Sequence, residues 1–263
     1  MTSDSEEKLA TFFSFFRSES SSLLLLDYDG TLAGFRVDRF QARPWAGMRE
    51  VLARIQRQGR TRMAVITGRP AAEIGPLLGL EPQLEVWGLH GAERLGSDGN
   101  RELQPAPEGA RQKLEELRGL LRADSLGGLF EDKPNAVVMH WRGASAQRAK
   151  TIEKRTRQLF EPAAALDGLN LLEFEAGVEL RVGRDKGGAV EAILAENASP
   201  GPVAFLGDDL TDEPAFRAVN AVGERGLSVL VRRELRPTSA TAWLRPPEEV
   251  RAFLERWAEA AQG

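Results

Sequence analysis

Residues 23–31 read Leu23-Leu24-Leu25-Leu26-Asp27-Tyr28-Asp29-Gly30-Thr31, an apolar run that stops at two carboxylates one residue apart. With no apolar/polar alternation, the run predicts a strand covered on both faces, as in a parallel sheet, whose ligands sit at the strands' carboxyl ends. Asp27 and Asp29 nominally share one face, and Gly30 lets the backbone turn sharply beside them. Two anions so placed repel each other. A nearby cation or a shared proton relieves that repulsion, and either makes a carboxylate reactive. Taken alone, the pattern is also how a strand ends in a solvated turn, so the rest of the chain has to decide.

The same design recurs. Met63-Ala64-Val65-Ile66 delivers Thr67-Gly68-Arg69-Pro70, and Val203-Ala204-Phe205-Leu206 runs into Gly207-Asp208-Asp209-Leu210-Thr211-Asp212-Glu213. Lys186 stands ahead of Gly187-Gly188 at the start of an expected helix, a position that disfavours a cation unless an anion partners it. Together the acids carry more negative charge than one crevice holds without a hard cation, and Mg²⁺ suits one or two carboxylates plus phosphate oxygens. The candidate ligands are Asp27, Asp29, Asp208 and Asp209, with Asp208 first among the added acids and Asp212 supporting. In a phosphoryl-transfer reading Asp27 attacks in line and Asp29 carries the proton. Thr67, the nearby Gly68 backbone and Lys186 hold the phosphoryl oxygens. Each piece alone is an ordinary cap or turn. Their joint occurrence at strand and helix ends is not.

Composition narrows the partners. The 263 residues carry 35 Lys plus Arg against 39 Asp plus Glu, a net charge of -4, which leaves no basic footprint for nucleic acid. A small-molecule substrate is expected instead. With no cysteine and two histidines, a disulfide, a thiolate nucleophile and a Cys-ligated metal are excluded and a zinc site is disfavoured. No segment approaches the ~20 apolar residues of a membrane span, and the N-terminus lacks a signal-peptide pattern, so a cytoplasmic location without membrane contact is expected.

The expected fold class is α/β: a doubly wound, mostly parallel sheet with an inserted, smaller α/β cap. The core would comprise residues 1–104 and 183–263, the cap 105–182, where a helix-strand-strand-helix-strand-strand pattern interrupts the alternation. Apolar spacing predicts helices over 5–17, from Trp45 to Gln58 and from Pro247 to Ala261, and one from Pro70 to about Leu78. Strands are expected at 84–87, 203–206, 218–222 and 227–231, with a hairpin turn over 96–100. In the insertion, strands near 129–131, 136–141, 170–174 and 178–182 accompany a polar helix over 144–160.

The order Asp27-Tyr28-Asp29-Gly30-Thr31, Thr67, Lys186, Gly207-Asp208-Asp209 resembles the haloacid-dehalogenase-like phosphohydrolases across the whole chain. The resemblance implies that Asp27 is the nucleophile and Asp29 the acid/base, with the Asp29 main-chain carbonyl on Mg²⁺. Within that superfamily the chain is most similar to trehalose-6-phosphate phosphatases. The supporting residues are Gly88-Leu89-His90-Gly91-Ala92-Glu93, Glu131-Asp132-Lys133, His140-Trp141-Arg142, Glu179-Leu180-Arg181 and Lys186-Gly187-Gly188-Ala189. It departs from that family at Trp141, where Tyr is usual, and at Val182, where Pro is. The implied activity is Mg²⁺-dependent hydrolysis of trehalose 6-phosphate, with functional coupling to a trehalose-6-phosphate synthase. Glu131, Lys133, His140, Arg142 and Glu179 would read the sugar, since alternate strand positions share a face. Trp141, on the opposite face, is expected to pack. The competing readings are a phosphatase for another sugar phosphate, such as glucosylglycerol phosphate or a glycosyl-phosphoglycerate, and a non-catalytic phosphosugar-binding module.

Overall fold

The computed structural model describes residues 3–16, 21–103, 107–123, 129–133, 135–166, 168–174, 176–196 and 201–262. The expected boundary at 104/105 and most of the polar stretch over 18–22 fall outside these. The chain divides into two compact units, Met1–Leu103 with Lys186–Gly263, and Gln104–Asp185.

In the first unit, helix α1 (Ser3–Phe16) leads to β1 (Ser22–Leu26), α2 (Met48–Gln58), β2 (Thr61–Ile66), α3 (Ile74–Leu78), β3 (Glu85–Gly88), β4 (Glu93–Leu95) and β5 (Arg101–Leu103). The insertion supplies α4 (Glu108–Ala123), β6 (Phe130–Lys133), β7 (Ala136–His140), α5 (Ala146–Ala164), β8 (Leu169–Phe174) and β9 (Gly177–Val182). The first unit then resumes with α6 (Lys186–Glu196), β10 (Val203–Gly207), α7 (Glu213–Asn220), β11 (Gly226–Val231), β12 (Ala242–Leu244) and α8 (Glu248–Ala260).

Its sheet runs β12-β11-β10-β1-β2-β3-β4-β5, parallel from β12 to β3 and antiparallel through the β4–β5 hairpin. The leucine run explains the layers. Leu24 and Leu26 pack into the cluster made with α1, α2, α3 and α8, while Leu23 and Leu25 face the opposite cluster with α6 and α7. All four are fully buried, each contributing about 1.5–3 kcal/mol of apolar burial. The chain order reverses at β1, which has β10 on one side and β2 on the other. A crevice at the carboxyl ends of β1 and β10 follows from that reversal.

Two sequence expectations need correction, and one element is new. The second helix begins at Met48 rather than Trp45, because Gly47 adopts a left-handed φ of 84° at its N-terminus. Residues 218–222 are no strand: Ala218 and Val219 close α7, where they share a buried face with Ala215 and Phe216 at helical spacing. The short edge strand β12 was not foreseen, its three residues being too few to show a period.

The inserted unit is an antiparallel sheet in the order β6-β7-β9-β8. Val137, Met139, Val178 and Leu180 pack on Leu114, Leu117 and Leu121 of α4 and on Ile152 and Phe160 of α5. Trp141 is half-buried against this cluster. Period-2 geometry turns Glu131, Lys133, Val138, His140, Glu179 and Arg181 to the other face, consistent with the pairings Glu131–Val138 and Val138–Glu179.

Candidate active site

At the carboxyl end of β1, Asp27 is buried, and one of its oxygens, Oδ1, accepts from Lys186 Nζ at 2.7 Å. The same ammonium donates to Asp212 Oδ1 at 2.6 Å. The other oxygen of Asp212 takes the main-chain N–H groups of Asp208 and Asp209, both at 2.9 Å, and so closes the turn after β10. Gly207 is forced here, since a Cβ would lie 2.4 Å from Asp212 Cγ. Gly30 is forced twice, by a φ of +86° and by Asp208 Oδ2, 2.1 Å from where its Cβ would stand.

Asp27, Asp208 and Asp212 thus converge, offering carboxylate oxygens that all lie within 4.8 Å of one another. One lysine cannot balance three buried acids. Burial, reinforced by Asp212 and Asp29 and opposed by Lys186, pushes Asp27 up to about 7. Burial and then Asp27 and Asp212 push Asp208 well above the usual carboxylate range. Burial alone would lower the Lys186 pKa, but Asp212 and Asp27 more than reverse this and hold it charged. Asp27 Oδ2 is buried without a hydrogen-bond partner. An oxygen-only donor set with surplus negative charge and an unpartnered buried oxygen fits a hard divalent cation.

Of the expected ligands, the side chains of Asp29 and Asp209 are not in this group. Arg69 grips the Asp29 carboxylate with two bonds of 2.6 Å, from Nε to Oδ2 and from Nη2 to Oδ1, and sends Nη1 to the Arg39 carbonyl at 2.6 Å. Arg69 was read only as part of the Thr67-Gly68-Arg69 motif. Its partner lies 40 residues away, and nothing in the local pattern announces it. Thr67 is buried, its N–H donating to the Trp87 carbonyl at 2.9 Å and its Oγ1 accepting from the Arg69 N–H at 3.2 Å. The threonine hydroxyl therefore keeps its own proton to donate. Gly68 follows on the same turn.

In the inserted unit, Lys133 Nζ bonds Glu179 Oε2 at 3.0 Å and Arg181 holds Glu179 Oε1. His140 Nε2 lies 3.1 Å from Glu131 Oε2. Arg142 is exposed in the turn after β7 rather than on a strand, so of the five expected sugar-reading residues four lie on one sheet face.

A family model described as trehalose-phosphatase matches residues 25–248. The chain is 32% identical over 248 residues to a trehalose-phosphate phosphatase of Mycobacterium marinum, an alignment covering 89% of this chain and 61% of that protein. It therefore spans about three fifths of that relative's length. Among solved structures, the trehalose-6-phosphate phosphatase of Aspergillus fumigatus superimposes with a TM-score of 0.76 at 24% identity, covering 95% of this chain and 97% of that one. A haloacid dehalogenase-like hydrolase from B. subtilis gives a TM-score of 0.63 at 18% identity, covering 89% and 98%. At these identities the two structures bear on the fold.

Proposed function

The chain belongs to the trehalose-phosphatase family, and from that premise we propose that it hydrolyses trehalose 6-phosphate to trehalose and phosphate through an aspartyl-phosphate on Asp27, with Mg²⁺ as cofactor. The observation that carries this reading is the Asp27 carboxylate, one oxygen on Lys186 and the other buried without a partner. A nucleophile of this kind must be desolvated and oriented, as Asp27 is by its burial and by Lys186.

Asp27, Asp208 and the Asp29 carbonyl would hold the ion, with Asp209 and Asp212 beside them. Bound there, it supplies positive charge that lets a carboxylate meet a phosphate dianion. Asp27 attacks phosphorus, and the bond to the sugar oxygen breaks as Asp29 gives that oxygen a proton. Asp29 then takes a proton from the water that cleaves the acyl phosphate and restores the Asp27 carboxylate. Lys186, the Thr67 hydroxyl and the Gly68 N–H stabilise the phosphoryl oxygens. For Asp29 to reach the leaving oxygen, its grip by Arg69 has to loosen. Glu131, Lys133, His140, Arg142 and Glu179 of the inserted unit read the sugar hydroxyls, since an unpaired buried polar group penalises the wrong sugar. The reading sets the enzyme in the cytoplasm, downstream of a trehalose-6-phosphate synthase.

Phosphate release from trehalose 6-phosphate, glucosylglycerol phosphate and a glycosyl-phosphoglycerate, measured side by side, tests the substrate. Preference for either of the latter overturns it. Chelated enzyme should regain turnover on adding Mg²⁺, and Asp27→Asn should stay folded yet lose nearly all turnover. Binding of trehalose 6-phosphate without any turnover would instead identify a phosphosugar-binding module.

A further inference from the structure

The segment Gly88-Leu89-His90-Gly91 leaves β3 with three consecutive positive φ angles, 49° at Leu89, 58° at His90 and 106° at Gly91. L side chains rarely adopt this region, and two non-glycine residues in succession is an outlier whose cause should be sought in function. Its surroundings are those of the turn after β2. The Leu89 N–H donates to the Arg69 carbonyl at 2.9 Å and the His90 N–H to the Thr67 carbonyl at 2.8 Å. Gly88 packs so closely that a Cβ there would lie 2.4 Å from the Ala71 nitrogen. The His90 ring covers Gly68, its Nε2 standing 2.6 Å from the point where a Cβ on Gly68 would be.

These contacts act on one peptide plane. Thr67 C=O and Gly68 N–H belong to the same trans peptide, so they point in opposite directions and cannot turn independently. By holding the Thr67 carbonyl from one side, the His90 main chain aims the Gly68 N–H to the other. The imidazole fills the space where a side chain on Gly68 would stand and so braces that side of the turn. We infer that His90 is a positioning residue for phosphate: its left-handed backbone seats the imidazole on Gly68 and locks the Gly68 N–H toward the phosphoryl oxygens. The inference rests on the phosphatase reading for the identity of the bound group. It goes beyond that reading in giving a role to the Gly88–Gly91 segment.

The strain supplies a test that a structural role does not pass. His90→Ala removes the ring and keeps the unfavourable backbone, whereas His90→Gly removes both. Both should lose roughly ten- to hundredfold in kcat, the scale of a small misplacement in an active site, with a smaller change in KM. Affinity for inorganic phosphate, measured by titration calorimetry, should fall alongside. His90→Gly should nevertheless melt no lower than the parent, because glycine relieves the left-handed φ. His90→Asn, which tolerates this region and keeps a planar side chain, should recover part of the loss. Parental kcat and phosphate affinity in both His90→Ala and His90→Gly would overturn the inference, as would losses that track melting temperature alone. If the parent hydrolyses no phosphate monoester, the phosphatase reading fails, and phosphate affinity across the same variants still decides the role of His90.

Discussion

The acid cluster at the end of β1 and the polar face of the inserted sheet use the same residue types to opposite effect. In the cluster, Lys186 pairs with Asp27 and Asp212 while Asp208 converges on the same point, three buried carboxylates to one cation. On the inserted face, Glu179 alone has two cations, Lys133 at 3.0 Å and Arg181. The consequences are opposite in sign. Asp27 and Asp208 are pushed up, while at Glu179 the upward push of burial is outweighed by Arg181 and Lys133, so its pKa falls. The first region is electrostatically incomplete, with more buried negative charge than its own lysine balances. The second is satisfied by its own side chains, so any sugar it reads must share bonds already made.

If incompleteness marks the chemistry, the largest effects belong to the core. Asp29→Asn should lower kcat by roughly 10²–10⁴-fold, the usual contribution of general acid–base catalysis. Single-turnover kinetics with trehalose 6-phosphate checks this, and a variant within threefold of the parent would remove Asp29 from the proton path. On the inserted face the largest effect should be on stability. Glu179→Ala takes from Arg181, itself buried, a carboxylate that it bonds, and losing one partner of a buried pair costs up to about 3–5 kcal/mol. Hydrogen exchange should show the loss in residues 107–182 while β1 and β10 stay protected. The pH dependence follows in sign. A carboxylate whose folded pKa is depressed stabilises fully above its unfolded pKa, and that stability is lost as pH falls through the folded value. Acid should therefore loosen the inserted unit, and Glu179→Gln should flatten the dependence. Smaller again is Gly30→Ala: a positive φ alone costs about 1–3 kcal/mol, before the collision with Asp208 is counted. Calorimetry should show that loss together with weakened Mg²⁺ binding.

The two regions also differ in how far they could be read from sequence. Leu23–Leu26 announced a doubly covered strand because burial on both faces demands an unbroken apolar run, and the residues delivered by β1, β2 and β10 followed from strand ends. Asp212 was expected only to support, yet it bridges Lys186 to the Asp208 and Asp209 main chain, a geometry set by the turn. Arg69 gripping Asp29 was not legible, since a contact across 40 residues leaves no period. The strand expected over 218–222 failed because a short apolar group fits both periods, and the helical face shared with Ala215 and Phe216 prevails. On the insertion, alternation paired Glu131 with Lys133 and His140 with Arg142, but β7 ends at His140 and leaves Arg142 in a turn, and only the strand register puts Glu179 on the face of the other three.

The smallest effect is the one that most sharpens the contrast. The pair of His140 and Glu131 spans 3.1 Å with side chains 45% and 53% exposed. A polar contact so open to solvent contributes about 0–1 kcal/mol, and the two side chains lose rotamer freedom to form it. His140→Ala should therefore leave the melting temperature almost unchanged. If these groups read a sugar, the variant should raise KM for trehalose 6-phosphate and leave turnover of a small phosphate monoester such as p-nitrophenyl phosphate untouched, since that ester offers the face no hydroxyls. Equal losses on both esters would mean that the residue acts on the phosphate site, and the division of labour between the two regions would fall with it.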